Sequence, residues 1–185
     1  MEKKITYKYL NRIKEDWNTN IQILEVTKFN NINIHNKVKI EKIVLDFSFK
    51  EINFDKKKMF SFLLILELIT GQKAILTWNN KALLNIKKGT IVGCKVDLRA
   101  NKKFDLLDTL YLTLPKLESS NDLKMKLIKN VSSNNINFVL RNIFIFHSVE
   151  LELNNFVKNL NVSIITNSKK ELEKKFIASA CFINR

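Results

Sequence analysis

Residues 69–99 read ITGQKAILTWNNKALLNIKKGTIVGCKVDLR and hold all three glycines of the chain, Gly71, Gly89 and Gly93. The last part of this stretch, residues 90–99, alternates strictly. Cys94, Val96 and Leu98 point one way, while Lys95, Asp97 and Arg99 point the other. A side-chain period of two belongs to a β-strand. The apolar side of that strand needs helices to cover it, and the charged side meets solvent or a ligand. Upstream, Asp55 is placed to cap a helix running to about residue 69. Gly71 stands just past its end, where a residue free to take positive φ can turn the chain into a strand at residues 75–77.

The rest of the chain extends this frame. Tyr7, Leu10, Ile13 and Trp17 recur at helical spacing, which predicts an amphipathic helix over residues 4–17. Residues 18–36 are Asn-rich and read as loop with a short strand. Residues 37–47 are β-rich, but Val38, Ile40 and Val44 share one parity and Ile43, Leu45 and Phe47 the other, so the strand is buried on both faces in its later half or carries a bulge. Phe104, Leu107, Leu110 and Tyr111 give a helix closing near Pro115. Residues 118–137 read as a long polar excursion, and residues 143–146 and 161–166 as further strands. Ser168 with Glu171 suggests a capping box before a last helix striped by Leu172, Phe176, Ile177 and Ala180. The expected fold is α+β, with residues 1–185 as a single domain: one mainly antiparallel sheet with helices packed on one face. Residues 1–36 form its N-terminal helix and a divergent loop.

The chain has 185 residues, 45% of them hydrophobic, enough for a core. Its net charge of +14 repels itself unless it sits on a polyanion. Nucleic acid is the first candidate and an anionic membrane surface the second. Lys, Asn and Ile supply 28, 24 and 22 residues, a bias that points to an AT-rich genome. Drift toward AT-rich codons raises the charge without selection for binding. Cys94 and Cys181 form no C-x-x-C, which argues against a zinc site or a disulfide scaffold. The longest apolar run, residues 62–66, stops at Glu67, and the first residues do not read as a targeting peptide.

Catalytic chemistry finds no support. Three glycines make neither a phosphate-cradling loop nor a dinucleotide fingerprint. His35 and His147 are isolated, and the pairs Asp105/Asp108 and Glu150/Glu152 read as solvated charges. A nucleic-acid enzyme would need converging carboxylates. A membrane-surface protein would need an amphipathic helix with a strongly basic face. Neither is visible, and no metal or cofactor is expected.

The informative constellation is cationic. Gln72 and Lys73 project from a strand start, where amide and ammonium groups can reach phosphates and ribose hydroxyls. Lys81, Lys87 and Lys88 follow, and Lys95 and Arg99 sit on the polar side of the next strand. Lys56, Lys57 and Lys58 read as a solvated first turn, with a phosphate contact as the alternative, and Trp78 as a packing residue that could otherwise stack on a base.

In this order, I-T-G-Q-K, T-x-x-x-K and K-K-G-T-I-V-G-C-K-V-D-L-R closely resemble the bacterial-type family of ribosomal protein five of the large subunit. That family reads I-[ST]-G-Q-K-P, T-K-A-[RK]-K-S and G-x-P-I-G-C-K-V-T-L-R. The likeness covers about 140 residues, taking in residues 39–43 and 55–57 upstream and residues 104–116 and 160–182 downstream. It implies a structural, non-catalytic protein of the central protuberance, bound to 5S rRNA and large-subunit rRNA beside neighbouring proteins. It also implies a bridge to a small-subunit head protein, and a long loop directed toward the peptidyl-site tRNA. Gln72 and Lys73 match the family's RNA-contacting turn. Lys39, Lys42, Thr77, Lys81, Lys95 and Arg99 match further basic or polar positions. Asp46 and Asp97 stand where the family has Asn and Thr, which weakens phosphate contact locally. The family's R-D-F-R-G and F-D-G-R-G-N elements are missing from residues 118–137, so tRNA contact is not carried over to a named residue. The codon bias and the altered loop suggest a mitochondrion-encoded copy. A plastid or AT-rich bacterial ribosome, or a non-ribosomal RNA-binding module, is the alternative.

Overall fold

The computed structural model describes residues 12–29, 37–49, 56–81, 87–117, 135–140, 143, 146, 159–168 and 170–182. Five antiparallel strands, β1 (Ile40–Ser48), β2 (Ile75–Trp78), β3 (Ile91–Leu98), β4 (Asn135–Leu140) and β5 (Leu160–Thr166), form one sheet in the order β2-β3-β1-β5-β4. The helices are α1 (Arg12–Asp16) and α2 (Gln22–Phe29), joined by a π-helical stretch (Trp17–Ile21), then α3 (Lys56–Thr70), α4 (Ala100–Leu117) and α5 (Glu171–Phe182). The expected class, an antiparallel sheet with helices over one face, is the one observed.

One face of the sheet is apolar across four strands. Ile43, Leu45 and Phe47 of β1 share it with Cys94, Val96 and Leu98 of β3, Leu160, Val162 and Ile164 of β5, and Ile136, Phe138 and Leu140 of β4; all are buried. Phe62, Ile65 and Leu66 of α3, Leu106, Leu107 and Leu110 of α4, and Phe176 and Ile177 of α5 close over them in the same cluster. The two parities read in β1 resolve as a bulge. Register shifts between Ile40 and Lys42, which puts Ile40 on the buried face with Ile43 while Val44 faces the other way.

Several expectations change. Residues 18–29 are helical, where a loop and short strand were expected. Ile13, Trp17, Ile21 and Glu25 are buried at four-residue spacing, slightly longer than an α-helical turn of about 3.6 residues. The π-helical stretch, closed by Gln22 N–H donating to the Trp17 carbonyl, gives the wider turn that this spacing needs. Its packing partners outweigh the poor helix propensity of Asn. Ile13 N–H donates to Asp108 Oδ1 at 3.0 Å, the Trp17 ring lies 6.4 Å from Phe104, Phe29 lies 5.6 Å from Phe176, and Val38 N–H donates to buried Glu25 at 2.7 Å. Asp108 is therefore a helix anchor rather than a solvated charge, and burial raises its carboxyl pKa. Strand β4 falls inside and just beyond the expected excursion. Of the strand expected at residues 143–146, only Ile143 and Phe146 are described, and neither lies in a strand: the Phe146 N–H donates to the Ile143 carbonyl at 3.1 Å. Ser168 bonds Glu173 and the Lys170 N–H rather than Glu171, which pairs with Lys175. Leu172 is 71% exposed and leaves the stripe. Helix α4 runs through Pro115 to Leu117. Asp55, His35, His147, Glu150, Glu152 and residues 118–134 lie outside the described residues, as do the side chains of Lys56, Lys57, Lys58 and Ala180.

Candidate nucleic-acid interface

The face opposite the helices is set by register. Reading across β2, β3, β1, β5 and β4, one row is Ile75, Lys95, Asp46, Asn161 and Val139, and the next is Asp97, Val44, Ser163 and Asn137. Lys42, Ile165 and Asn135 follow. Of the two cations of this face one is ion-paired, and the other has an acid as its cross-strand neighbour. Lys42 Nζ lies 2.8 Å from Asp97 Oδ2, both partly exposed, and Lys95 sits directly across from Asp46. Asp46 also accepts a bond from Asn161 Nδ2 at 2.9 Å. The middle of the face thus offers amides, hydroxyls and apolar groups rather than net charge.

Unmatched cations gather at the two ends of the sheet. At one end, Gly71 takes φ +60 and ends α3, its N–H bonded to the Glu67 carbonyl at 2.8 Å. Thr70 Oγ1 accepts from the Gln72 N–H at 3.2 Å, and Glu67 Oε1 accepts from the Ala74 N–H at 3.1 Å. These bonds fix the turn from which half-exposed Gln72 and exposed Lys73 project. Lys102, at the start of α4, donates to the Gly71 carbonyl at 3.0 Å and adds a second cation there. Arg99 is exposed beside it, and Ala100 at φ +50 makes the sharp step from β3 into α4. Lys103 donates to the Ile40 carbonyl, and burial lowers its pKa. Lys39, exposed at the start of β1, is held through its backbone by Asn167, whose Oδ1 accepts the Lys39 N–H at 2.7 Å.

At the other end, the β2–β3 hairpin carries Lys81, Lys87 and Lys88, all exposed. Its base is held by Asn79 N–H to the Thr90 carbonyl and Gly89 N–H to the Asn79 carbonyl, both 2.9 Å. Thr77 lies opposite Gly93, half-exposed. Trp78 does not pack as expected: it is 56% exposed.

The residues expected to bind RNA therefore divide into three groups. Gln72, Lys73, Lys39 and Arg99 share one end, Thr77, Lys95 and Lys42 lie on the face, and Lys81 belongs to the hairpin. Lys102 was not anticipated; its only sequence signal is the pair of lysines opening a helix. Nor was the neutralisation of Lys42, whose partner is 55 residues away. The Asp97→Asn substitution frees Lys42, and RNA binding is expected to tighten about 3-fold, the size of a half-exposed ion pair. Filter binding at low and physiological salt checks this, and a weaker complex would show that the ion pair itself shapes the face.

Among the described residues no group of His, Cys, Asp and Glu can hold a metal ion, and no helix is long and apolar enough to cross a membrane. Cys94 is fully buried, and desolvation with nearby Asp46 pushes its thiol up to about 12, so it is inert.

No family model matches the chain. It is 35% identical over 175 residues to the large ribosomal subunit protein uL5m of Reclinomonas americana, covering 92% of this chain and 95% of that protein. It is 30% identical over 167 residues to the large ribosomal subunit protein uL5 of Clostridium acetobutylicum, covering 89% and 92%. These relatives are ribosomal proteins rather than enzymes. With likeness spanning nearly the whole of each protein, the chain belongs to the uL5 family of large ribosomal subunit proteins.

Proposed function

We propose that this chain is a structural constituent of a mitochondrial large ribosomal subunit, where it binds 5S rRNA or its equivalent in the central protuberance and takes part in the bridge to the small-subunit head. The observation that carries the reading is the charge layout: a sheet face neutral at its centre, with exposed cations at both ends. Such a surface suits a folded RNA, whose phosphates can meet the two ends while sugars and bases lie over the amides and hydroxyls between. The resemblance to the uL5m protein supports the mitochondrial setting, and the codon bias supports an organelle-encoded copy. The bacterial relative supports a bacterial-type ribosome as the second reading.

Titration with a 5S rRNA transcript across salt concentrations tests the proposal. Affinity is expected to fall steeply from low to physiological salt as phosphate counterions are released. Lys73→Glu is expected to weaken binding about 10-fold or more. Lys175→Glu, the same charge change at an exposed position of α5, is expected to weaken it only a few fold. Equal losses would mean that bulk charge alone drives association, and a flat salt dependence would remove RNA as the partner.

A further inference from the structure

Trp78 ends the edge strand β2, where register shifts between Thr77 and Trp78 and leaves the indole opposite Ile91. A bulge at a sheet edge re-aims a side chain, and here the side chain is a large aromatic left 56% in solvent. Ile75, on the same short strand, is 62% exposed. Beyond Trp78 the backbone is fixed, because the Asn79 N–H and carbonyl are both bonded across the hairpin. The loop that follows carries Lys81, Lys87 and Lys88, all exposed. A rigidly mounted ring beside mobile-headed cations is the pairing that holds a single-stranded polyanion: bases stack on the ring, and ammonium groups follow the backbone.

We propose that Trp78 is a stacking platform for one unpaired base of the bound RNA, with Lys81, Lys87 and Lys88 holding the flanking phosphates. This rests on the RNA-binding reading above and sharpens it. The hairpin takes a loop, bulge or strand end rather than a continuous duplex, whose bases are already stacked on one another. Charge complementarity selects RNA over a protein neighbour for this ring, since three cations share its hairpin and none of them meets an acid among the described residues.

The chain also provides its own reporter. Its other tryptophan, Trp17, is buried at 4% exposure between α1 and α4, so the two indoles sit in separate environments. The experiment titrates the 185-residue chain and its W78A and W78F variants with a 5S rRNA transcript and with a fully paired RNA duplex of equal length. Affinity and tryptophan emission are both read. The transcript is expected to quench the emission of the parent chain and to leave that of W78F, which reports Trp17 alone, unmoved. W78A is expected to bind the transcript roughly 5- to 150-fold more weakly, the range for losing one base–aromatic stack, and W78F within a few fold of the parent. On the duplex the three chains are expected to bind alike. Equal transcript affinity for W78A and the parent chain, with unquenched emission, overturns the stacking role, leaves RNA binding standing and assigns the exposed ring to a protein neighbour. Equal losses on transcript and duplex overturn it as well. A parent chain that binds neither RNA overturns the RNA reading and this one together.

Discussion

Gly93→Ala is expected to cost about 3 kcal/mol of folding stability, the upper range for forcing one extra carbon into a packed site. A Cβ built at Gly93 falls 2.3 Å from the Phe47 carbonyl oxygen and 3.0 Å from Thr77 Oγ1. The first of these is backbone of the central strand. It cannot swing aside as a flexible side chain would, so relief requires β1 and β3 to separate. Gly93 lies opposite both Ser48 and Thr77, which puts the strain between two strand pairs at once. At Gly71 and Gly89 an added Cβ meets nothing, and only the positive φ is at issue. Urea denaturation of the two chains measures the difference. A loss below about 0.5 kcal/mol, the ordinary scatter of surface substitutions, would show that the sheet relaxes around the methyl group.

Replacing Lys81, Lys87 and Lys88 together with alanine is expected to give the largest loss of RNA affinity available without touching the core. All three are exposed, and among the described residues none is engaged by a carboxylate, so their charge is available to phosphate. Loss of three phosphate contacts lowers the slope of log affinity against log salt by about 2 to 3 and the affinity itself by about 100-fold near 0.1 M salt. Lys42 and Lys95 carry the same formal charge but face Asp97 and Asp46, so the hairpin outranks the sheet centre. An unchanged salt slope in the triple variant would show that the hairpin does not touch phosphate. Thermal melting of the variant should match that of the parent, since the three side chains are exposed and the hairpin is closed by backbone bonds.

The most legible parts of the fold were those where pattern and packing agree. The alternation of β3 gave both its faces, and Gly71 gave the end of α3 and the turn after it. The bulge in β1 was visible as a change of parity. Two elements were misread because polar residues masked the apolar period. In β4, Ile136, Phe138 and Leu140 alternate cleanly, but their neighbours Asn135 and Asn137 resemble loop composition. They are polar because they lie on the open face. In residues 18–29 the asparagines suggested a loop, while the four-residue recurrence of Trp17, Ile21 and Glu25 carried the helix. Glu25 was the harder signal, since a carboxylate is an unexpected core residue until the Val38 N–H appears beside it.

The candidate interface was legible as a composition and not as an arrangement. Which residues are cationic is read directly; which cations are already matched depends on strand register. Asp97 was noted as a weak point on the presumed RNA face, and its partnership with Lys42 shows how the loss is distributed: it silences one neighbouring cation and leaves both ends of the sheet charged. Of the two readings of Trp78, packing or stacking on a base, packing was favoured because an aromatic at a strand end usually packs, and here the bulge turns it out.

The position of β1 also constrains how the chain assembles as it is made. This strand pairs with β3 on one side and β5 on the other, and the Asn167 side chain clips the start of β1 across 128 residues of sequence. Strands β1, β2 and β3 emerge first and can pair among themselves, but the second edge of β1 stays open until β5 has left the ribosome. An unpaired central edge is a site for wrong partners, and pairing over so long a separation is slow. The vulnerable interval of this protein is therefore its own synthesis, and it ends when the seventh residue of β5 takes its place beside Ile40.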